Sequence, residues 1–405
     1  MTKRLSIHPT SLVRGLALAA AALTVSVALP AGAAPTTISA STWVARASAS
    51  YAAMQQYLFL GSAGHGLYHE SYPVQPNDPA YAYLWTTREA TGATVALANA
   101  KGVSGMQDDV AARFAAFPLY WTDSDLAGYP GFESYVVPPL GGGGDLFYDD
   151  NAVVGLEMAR GYALTHDSTL LQSARRAWAA VARGWDADTT HACAGGELWY
   201  DSPNNTFRAA NVTGLGAELA VRLYLITHES DYLAWGTRLF DWNQRCLQAG
   251  PGMYWNDMSY DGTVNQTFWS YNSGAMIGAA TLLYRATGTA SYLTDATAEA
   301  DGALQYWTAD DRLFNQPAIF NSFFFNNLLL LDSVQHDARY LQVMSSYAQR
   351  EWYSNRDPQT GLFHFQASGG GPYNPSGPAQ TLEQSAMVQM FSALAWRPSQ
   401  YGVIT

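Results

Sequence analysis

Arg160-Gly-Tyr-Ala-Leu-Thr-His-Asp-Ser-Thr-Leu-Leu171 is one of three copies of the same pattern in this chain. Arg222-Leu-Tyr-Leu-Ile-Thr-His-Glu-Ser-Asp-Tyr-Leu233 follows 62 residues later, and Leu283-Tyr-Arg-Ala-Thr-Gly-Thr-Ala-Ser-Tyr-Leu293 aligns with both after a further 60. Each copy has the pattern of one helix ending, a tight turn and the next helix beginning. Repeats of this length are typical of stacked supersecondary units, which here are helical hairpins.

Helical periodicity extends over almost the whole chain, and few segments alternate as strands do. We predict twelve helices, at residues 43–60, 81–100, 106–117, 151–165, 170–185, 209–227, 232–247, 273–287, 292–307, 321–335, 340–352 and 382–396. Helical hairpins that repeat in this way can close into a ring. The predicted fold class is therefore all-α, an (α/α)6 barrel of six inner and six outer helices. The predicted inner helices begin near Tyr81, Asn151, Ala209, Ser273, Asn321 and Leu382.

The N-terminal segment predicts export. Lys3, Arg4 and Arg14 precede an apolar run at residues 15–29, and small residues follow at 31–33, which is the pattern of a secretory signal peptide. The run is too short for a comfortable membrane span. We therefore expect a signal peptide at 1–33 and a single catalytic domain at 34–405, secreted to the extracellular space as a monomer with no membrane anchor.

The composition argues against several classes of function. The chain has 33 acidic and 21 basic residues, a net charge of −12, whereas proteins that bind nucleic acid are basic. The eight histidines show no metal-ligand spacing, and neither a phosphate loop nor a dinucleotide fingerprint is present, so we expect no metal and no cofactor. Cys193 and Cys246 could form one disulfide in an oxidising compartment or remain two buried thiols.

Gly141-Gly-Gly-Gly-Asp-Leu-Phe-Tyr-Asp-Asp-Asn-Ala152 brings two adjacent carboxylates, Asp149 and Asp150, to the start of a long helix. Glycoside hydrolysis needs one ionised and one protonated carboxyl group at the same pH. Like-charge repulsion between close carboxylates helps to separate their pKa values. The alternative is that either Asp only caps the helix, because Asp in the first turn complements the helix dipole.

Aromatic and amide residues stand before or within the first turns of the other predicted inner helices. Flat rings can stack on sugar faces, and fixed polar groups can bind hydroxyls. Tyr148 and Tyr271 could equally be core aromatics, and Asn211 and Asn272 could be N-caps. For Arg208 a binding role is favoured, because the helix dipole does not stabilise a cation near a helix N-terminus.

Three segments, in this order, resemble glycoside hydrolase family 76, the endo-α-1,6-mannanases. They are Phe147-Tyr-Asp-Asp-Asn-Ala152, Gly195-Gly-Glu-Leu-Trp-Tyr200 and Thr263-Val-Asn-Gln-Thr-Phe-Trp-Ser-Tyr-Asn-Ser-Gly-Ala-Met-Ile-Gly278. The resemblance covers roughly residues 45–396. It implies an (α/α)6 barrel and retaining hydrolysis of α-1,6-linked mannose backbones. Carried onto this chain, Asp149 matches the nucleophile and Asp150 the general acid/base, with carboxyl groups about 5–5.5 Å apart as retention requires.

The expected partner is mannan polysaccharide or a manno-oligosaccharide. Two alternatives stay open: another (α/α)6 carbohydrase, and a non-catalytic mannan-binding protein that keeps the aromatic cleft. Within the first, an inverting glycosidase needs carboxyl groups about 6.5–9.5 Å apart, and a polysaccharide lyase needs cations that this acidic chain supplies poorly. The candidate substrate-binding residues are Tyr148, Asn151, Arg208, Asn211, Asn265, Tyr271 and Asn272.

Overall fold

The structure, a computed structural model that describes residues 38–404, contains thirteen α-helices in that range. They are Ala40–Tyr57 (α1), Leu84–Ala98 (α2), Gln107–Phe114 (α3), Tyr148–Thr165 (α4), Ser168–Val181 (α5), Ala210–Thr227 (α6), Ser230–Cys246 (α7), Ser270–Thr287 (α8), Ala290–Trp307 (α9), Arg312–Asn315 (α10), Ala318–Asp332 (α11), Ala338–Ser354 (α12) and Thr381–Ala393 (α13). All twelve predicted helices are present, and only the short α10 was not predicted. The predicted signal peptide at 1–33 lies outside the described residues.

The helices form two concentric layers. Helices α2, α4, α6, α8, α11 and α13 are buried on nearly every side, and each contacts the next in this order. The contact between α13 and α2 closes the ring. Helices α1, α3, α5, α7, α9 and α12 bury one stripe each and pack around it, as amphipathic outer helices do. The predicted (α/α)6 barrel is confirmed.

The repeated sequence pattern marks the turn from an inner to an outer helix. Helices α4, α6 and α8 each end before a residue in the left-handed conformation, His166, His228 or Gly288. The threonine that ends each of these three helices donates its hydroxyl to the carbonyl four residues earlier, at 2.7–2.8 Å. The same hydroxyl accepts the backbone N–H two residues later, which fixes the entry to the outer helix. The repeat is therefore a helix-ending device.

The two ends of the barrel differ. The N-termini of the inner helices share one rim, whereas the opposite end is covered by a 3₁₀ turn, Pro398–Val403. Arg160 donates to the carbonyl of Ile404 at 3.0 Å, and Arg222 donates to that of Gly402 at 2.7 Å. This turn closes the end of the barrel opposite the N-terminal rim.

Short strands surround this rim. They are Ser71–Tyr72 (β1), Trp121–Thr122 (β2), Gly131–Phe132 (β3), Phe207–Ala209 (β4), Gln248–Gly250 (β5), Met253–Ser259 (β6), Val264–Phe268 (β7) and Ala379–Gln380 (β8). Strand β6 pairs antiparallel with β4, β5 and β7. No strand was predicted between the helices at 232–247 and 273–287, so the β6–β7 hairpin is a difference from the prediction. Its strands alternate too weakly between buried and exposed residues to have been recognised.

Cys193 and Cys246 form a disulfide, with their Cα atoms 6.2 Å apart. This bond answers the question that the sequence left open. It ties the loop before β4 to the end of α7, and the Cys193 carbonyl also accepts the indole N–H of Trp242 at 2.8 Å. Within residues 38–404 no helix is long and apolar enough to cross a bilayer.

Candidate active site

Asp149 and Asp150 lie in the first turn of α4, on the wall of a cavity of about 310 Å³ at the N-terminal rim. The helix begins at Tyr148, three residues earlier than predicted, and Phe147 occupies the N-cap position without a side-chain capping bond. Neither acid is the N-cap residue, but both lie in the first turn, where a carboxylate complements the helix dipole whatever its further role. Both side chains are half-buried and face the cavity.

Asp149 is held by three hydrogen bonds. Its Oδ2 accepts the indole N–H of Trp199 at 2.9 Å and the amide of Asn211 at 2.7 Å, and its Oδ1 accepts the backbone N–H of Asp150 at 3.0 Å. Burial raises the pKa of Asp149 to about 6, and the three donors act in the opposite direction because they favour the ionised form. The result is an oriented carboxylate that is ionised at neutral pH.

Asp150 has a different environment. Among residues 38–404 no side chain or backbone N–H donates to its carboxyl group. Burial raises its pKa well above the ordinary value, and the negative charges of Asp149 and Glu89 add to the effect. Asp150 therefore keeps a proton at a pH at which Asp149 has lost its own.

Trp199 reaches Asp149 because two chain segments pair beside the helix. The backbone N–H of Tyr148 donates to the carbonyl of Trp199, and that of Asp201 donates to Leu146, both at 2.9 Å. The ring of Phe147 lies 5.0 Å from that of Trp199. This pairing joins two of the segments that carried the family resemblance.

Aromatic rings form one side of the cavity. The ring of Phe320 stacks on that of Tyr271, with centroids 4.0 Å apart and planes at 18°, and on that of Trp85, at 6.0 Å and 20°. Trp269 meets Phe320 edge-on at 5.4 Å. The indole N–H of Trp85 donates to Glu89 at 3.2 Å, which fixes that ring. Such rigid, nearly parallel rings are suited to stacking on pyranose faces.

A third carboxylate, Asp257 of β6, lines the cavity among polar groups. It accepts hydrogen bonds from the amides of Asn256 at 2.7 Å and Asn265 at 2.9 Å. Asn265, a predicted binding residue, is exposed on β7 beside it. A carboxylate that holds two amides in this way offers a sugar hydroxyl an ionic acceptor and nearby amide groups.

Arg208 does not lie where a substrate-binding residue would have to be. Its side chain is 0% exposed. The guanidinium donates to Asp186 at 2.9 Å and to backbone carbonyls that include those of Ala192 and Ser259. It is fully engaged in joining the loop before β4 to β6, so the prediction of a substrate contact is corrected to a framework role.

Three further predicted residues are buried outside the cavity lining. Asn151 is fully buried and bonds the backbone of Phe132 in both directions, at 2.9 and 3.0 Å, so it anchors β3 to α4. Tyr148 packs in an apolar cluster with Leu146, as its core interpretation predicted. Asn272 is fully buried in α8 and is not an N-cap, since Trp269 occupies that position. Asn211 and Tyr271, in contrast, line the cavity.

Several cavity residues were not predicted from the sequence. Trp199 was within a quoted motif, but its position beside Asp149 depends on strand-like pairing between distant segments. Asp257 depends on the unpredicted hairpin. The lining residues with no prediction from the sequence are Trp85, Val153, Trp199, Phe207, Ala209, Leu215, Asn256 and Asp257, and Trp269, Phe320 and Phe323 line the cavity as well.

Residues 41–399 match the model of glycosyl hydrolase family 76. Over 119 residues the chain is 30% identical to a mannan endo-1,6-alpha-mannosidase of Candida glabrata. That match spans 27% of this chain and 26% of the yeast protein, about a quarter of its length.

Two solved structures have a similar fold. A glycoside hydrolase family 76 mannosidase from Bacteroides thetaiotaomicron superposes with a TM-score of 0.76 at 24% identity, over 87% of this chain and 98% of that one. An α-1,6-mannanase of Salegentibacter sp., in a variant described as inactive with two consecutive aspartates replaced by asparagine, is in complex with α-1,6-mannotriose. It superposes with a TM-score of 0.71 at 19% identity, over 87% of this chain and 99% of the other.

Proposed function

The chain belongs to glycoside hydrolase family 76, and on that premise we propose that it is an endo-acting hydrolase that cleaves α-1,6-mannosidic bonds in mannan backbones with retention of configuration. One observation carries the proposal. Two adjacent carboxyl groups in a sugar-sized aromatic cavity have unequal surroundings, so that one is oriented and ionised and the other protonated. This is the division of roles that glycoside hydrolysis requires.

In the first step the Asp149 carboxylate attacks the anomeric carbon of the bound mannose. Trp199 and Asn211 direct it, because each donates to the same oxygen and leaves the other carboxylate oxygen with only a backbone donor. Asp150 gives its proton to the leaving glycosidic oxygen, so the departing sugar leaves as a neutral alcohol. A covalent mannosyl-Asp149 ester remains.

In the second step Asp150 acts as a base. Once Asp149 is esterified it carries no charge, and one cause of the high Asp150 pKa is removed. The deprotonated Asp150 then takes a proton from water, which attacks the anomeric carbon and releases Asp149. The two inversions together give retention.

The comparison proteins support this substrate. The Salegentibacter mannanase is described as inactive after two consecutive aspartates were replaced, and it binds α-1,6-mannotriose. In this chain the aromatic row of Tyr271, Phe320 and Trp85 provides stacking surfaces, and Asp257 provides an acceptor for mannose hydroxyls.

We propose in addition that residues 1–33 are a signal peptide and that a single domain, 34–405, acts outside the cell. Two facts support export: the charged and apolar pattern of the N-terminal segment and the Cys193–Cys246 disulfide, which is typical of oxidising compartments. N-terminal sequencing of the protein recovered from culture medium tests this. A start near Ala34 is expected, and a mature chain that retains Met1 would contradict it.

The first experiment incubates the chain from Ala34 with unbranched α-1,6-mannan and follows product sizes by mass spectrometry. Asp149→Asn and Asp145→Asn are tested in parallel. Asp145 is an exposed acid in the same segment, so its replacement is a matched control. We expect a ladder of manno-oligosaccharides from wild type and Asp145→Asn, and a loss of turnover of about 10⁴-fold or more in Asp149→Asn.

Proton NMR of the first products assigns the stereochemistry. A newly formed α-anomer supports retention, and a β-anomer would replace it with inversion. If wild type and Asp149→Asn bind mannan equally and neither releases products, the non-catalytic binding protein is the correct alternative.

A further inference from the structure

The two acids lie on different faces of α4, and this difference gives the cavity a direction. Positions 150, 153, 157 and 160 follow one another at helical spacing and so share a face. Arg88 of α2 donates to the carbonyl of Val153 at 3.1 Å, and Arg160 donates to that of Gly92 at 3.2 Å. The face that carries Asp150 is therefore turned towards α2.

Asp149 points the other way around the ring. Both side chains that donate to it come from the side of α6: Asn211 belongs to the first turn of α6, and Trp199 lies in the segment that leads to β4 and α6. Across the inner ring, the order is then α6, Asp149, Asp150 and α2.

This order fixes where the two halves of a substrate lie. The nucleophile and the leaving oxygen stand on opposite sides of the anomeric carbon, and the acid stands beside the leaving oxygen. With the proposed roles of Asp149 and Asp150, the sugar that is attacked would lie on the α6 side, near Trp199 and Asp257, and the leaving half of the chain would extend towards α2.

On the α2 side an aromatic residue stands at the rim. Tyr83 directly precedes α2 and is 46% exposed, whereas the nearby Trp85 lines the cavity. The backbone is fixed on both sides of the Tyr83 side chain. The N–H of Tyr83 donates to Glu70 at 2.6 Å, and that of Leu84 donates to the carbonyl of Ser134 at 2.9 Å.

The ring of Tyr83 is also supported. Tyr135 meets it edge-on, with ring centroids 5.7 Å apart, and the Tyr135 hydroxyl accepts the backbone N–H of Tyr81 at 3.3 Å. Edge-to-face contact leaves one face of a ring free while its position is fixed. An exposed tyrosine held in this way offers a pre-positioned aromatic face on which a sugar can stack.

We propose that the leaving half of the mannan chain crosses the rim on the α2 side and that Tyr83, supported by Tyr135, stacks on a mannose unit there. The inference rests on the proposed function, because it takes Asp149 as nucleophile and Asp150 as acid. It adds the polarity of the bound chain and a residue that recognises the leaving group.

The test compares two substrates. One is α-1,6-mannohexaose, and the other is a 4-nitrophenyl α-1,6-mannotrioside, whose leaving group is nitrophenol and not a sugar. For Tyr83→Ala we expect the ratio of kcat/KM for the hexaose to kcat/KM for the aryl substrate to fall by about tenfold, since a stacking contact contributes energy of that order. The product pattern from the hexaose should also change. Cleavage events whose leaving fragment contains two or more mannoses should become less frequent.

Two further variants serve as controls. Tyr83→Phe retains the ring and should retain the wild-type ratio. Tyr353→Ala removes a tyrosine that is 71% exposed on the outer helix α12 and should also leave the ratio unchanged. Thermal unfolding of each variant checks that the fold is intact.

The other outcomes overturn the inference. An unchanged ratio in Tyr83→Ala shows that the residue does not recognise the leaving half, and a rise in the ratio places it on the other half. Wild-type protein that cleaves neither substrate overturns the proposed function and the inference with it, whereas active wild type with an unchanged ratio overturns the inference alone.

Discussion

Two levels of helix α4 hold acids in opposite electrostatic surroundings. At the rim, Asp149 and Asp150 have no ion pair with any basic residue between positions 38 and 404. Two turns deeper, Glu157 is fully buried between two cations, Arg160 at 2.7 Å and Arg88 at 3.4 Å. The same helix therefore carries an uncompensated pair of acids above and a compensated acid below.

The difference distinguishes the carboxylates proposed to take part in the reaction from a carboxylate that only stabilises the barrel. Burying a charge is costly unless it is paired and hydrogen-bonded. In the interior, arginines on α2 and α4 supply the pairing. At the rim no cation pairs with the acids, so the cost appears as raised pKa values of Asp149 and Asp150, and these are the property that the proposed reaction would use.

After the loss of Asp149, removal of Asp150 from the rim pair should have the largest effect on turnover. In Asp150→Ala, kcat should fall by about 10²–10⁴-fold, the usual contribution of a general acid/base. Formation of the covalent intermediate should recover with a good leaving group such as dinitrophenol. Added azide, which needs no base, should speed its release and give a mannosyl azide that mass spectrometry detects. Equal loss with every leaving group and no azide product would contradict the assignment of Asp150.

The same kind of change at the lower level should act on stability and not on chemistry. Glu157→Gln leaves Arg88 and Arg160 without the acid between them, so the free energy of unfolding should fall by about 3–5 kcal/mol. Urea denaturation measures this. The molecules that remain folded should keep the wild-type pH profile, and a displaced profile would mean that the two levels are coupled.

The hydrogen bonds to Asp149 should determine the pH at which kcat/KM falls on the acidic side of the pH profile, its acidic limb. The folded pKa of Asp149 is about 6, so kcat/KM should decline as the pH falls through that value and the nucleophile gains a proton. Asn211→Ala removes a donor that favours the ionised form. The limb should therefore move upward by roughly one pH unit.

Asn265→Ala is the matched control for this shift. Its amide donates to Asp257 and not to Asp149, so the acidic limb should stay in place although KM changes. A limb that moves equally in both variants would show that cavity polarity in general, and not the bond to Asp149, controls the pKa.

Features that depend on local contacts could be predicted from the sequence, whereas features that depend on distant segments could not. The repeat around Thr165 and Thr227 predicted the hairpins because the helix-ending contacts are local. Asp149 and Asp150 could be found because they are adjacent in the chain. Arg208 was misread since its partners, Asp186 and carbonyls of β6, come together only through the sheet. Trp85 carried no local signal, because its role depends on the distant Phe320.

Glu197 tests whether a buried acid without a cation beside it is enough for catalysis, because it has no such partner but lies outside the cavity. It is 0% exposed, and neither side-chain oxygen has a hydrogen-bond partner among residues 38–404. Burial raises its pKa well above the ordinary value. If a missing cation alone made an acid catalytic, Glu197→Gln would impair turnover. Because Glu197 does not line the cavity, we expect a change in kcat of less than about twofold.

The effect of Glu197→Gln should appear instead in the pH dependence of stability. The native state holds a proton on Glu197 that the unfolded chain releases as the pH rises above about 4.3. Native stability therefore falls with rising pH up to the folded pKa, and glutamine removes this dependence because it does not titrate. The Tm of the variant relative to wild type should be higher at pH 8 than at pH 5, by a few degrees at most. A constant difference between the two pH values would show that Glu197 is ionised in the native barrel, and would then require a partner for it.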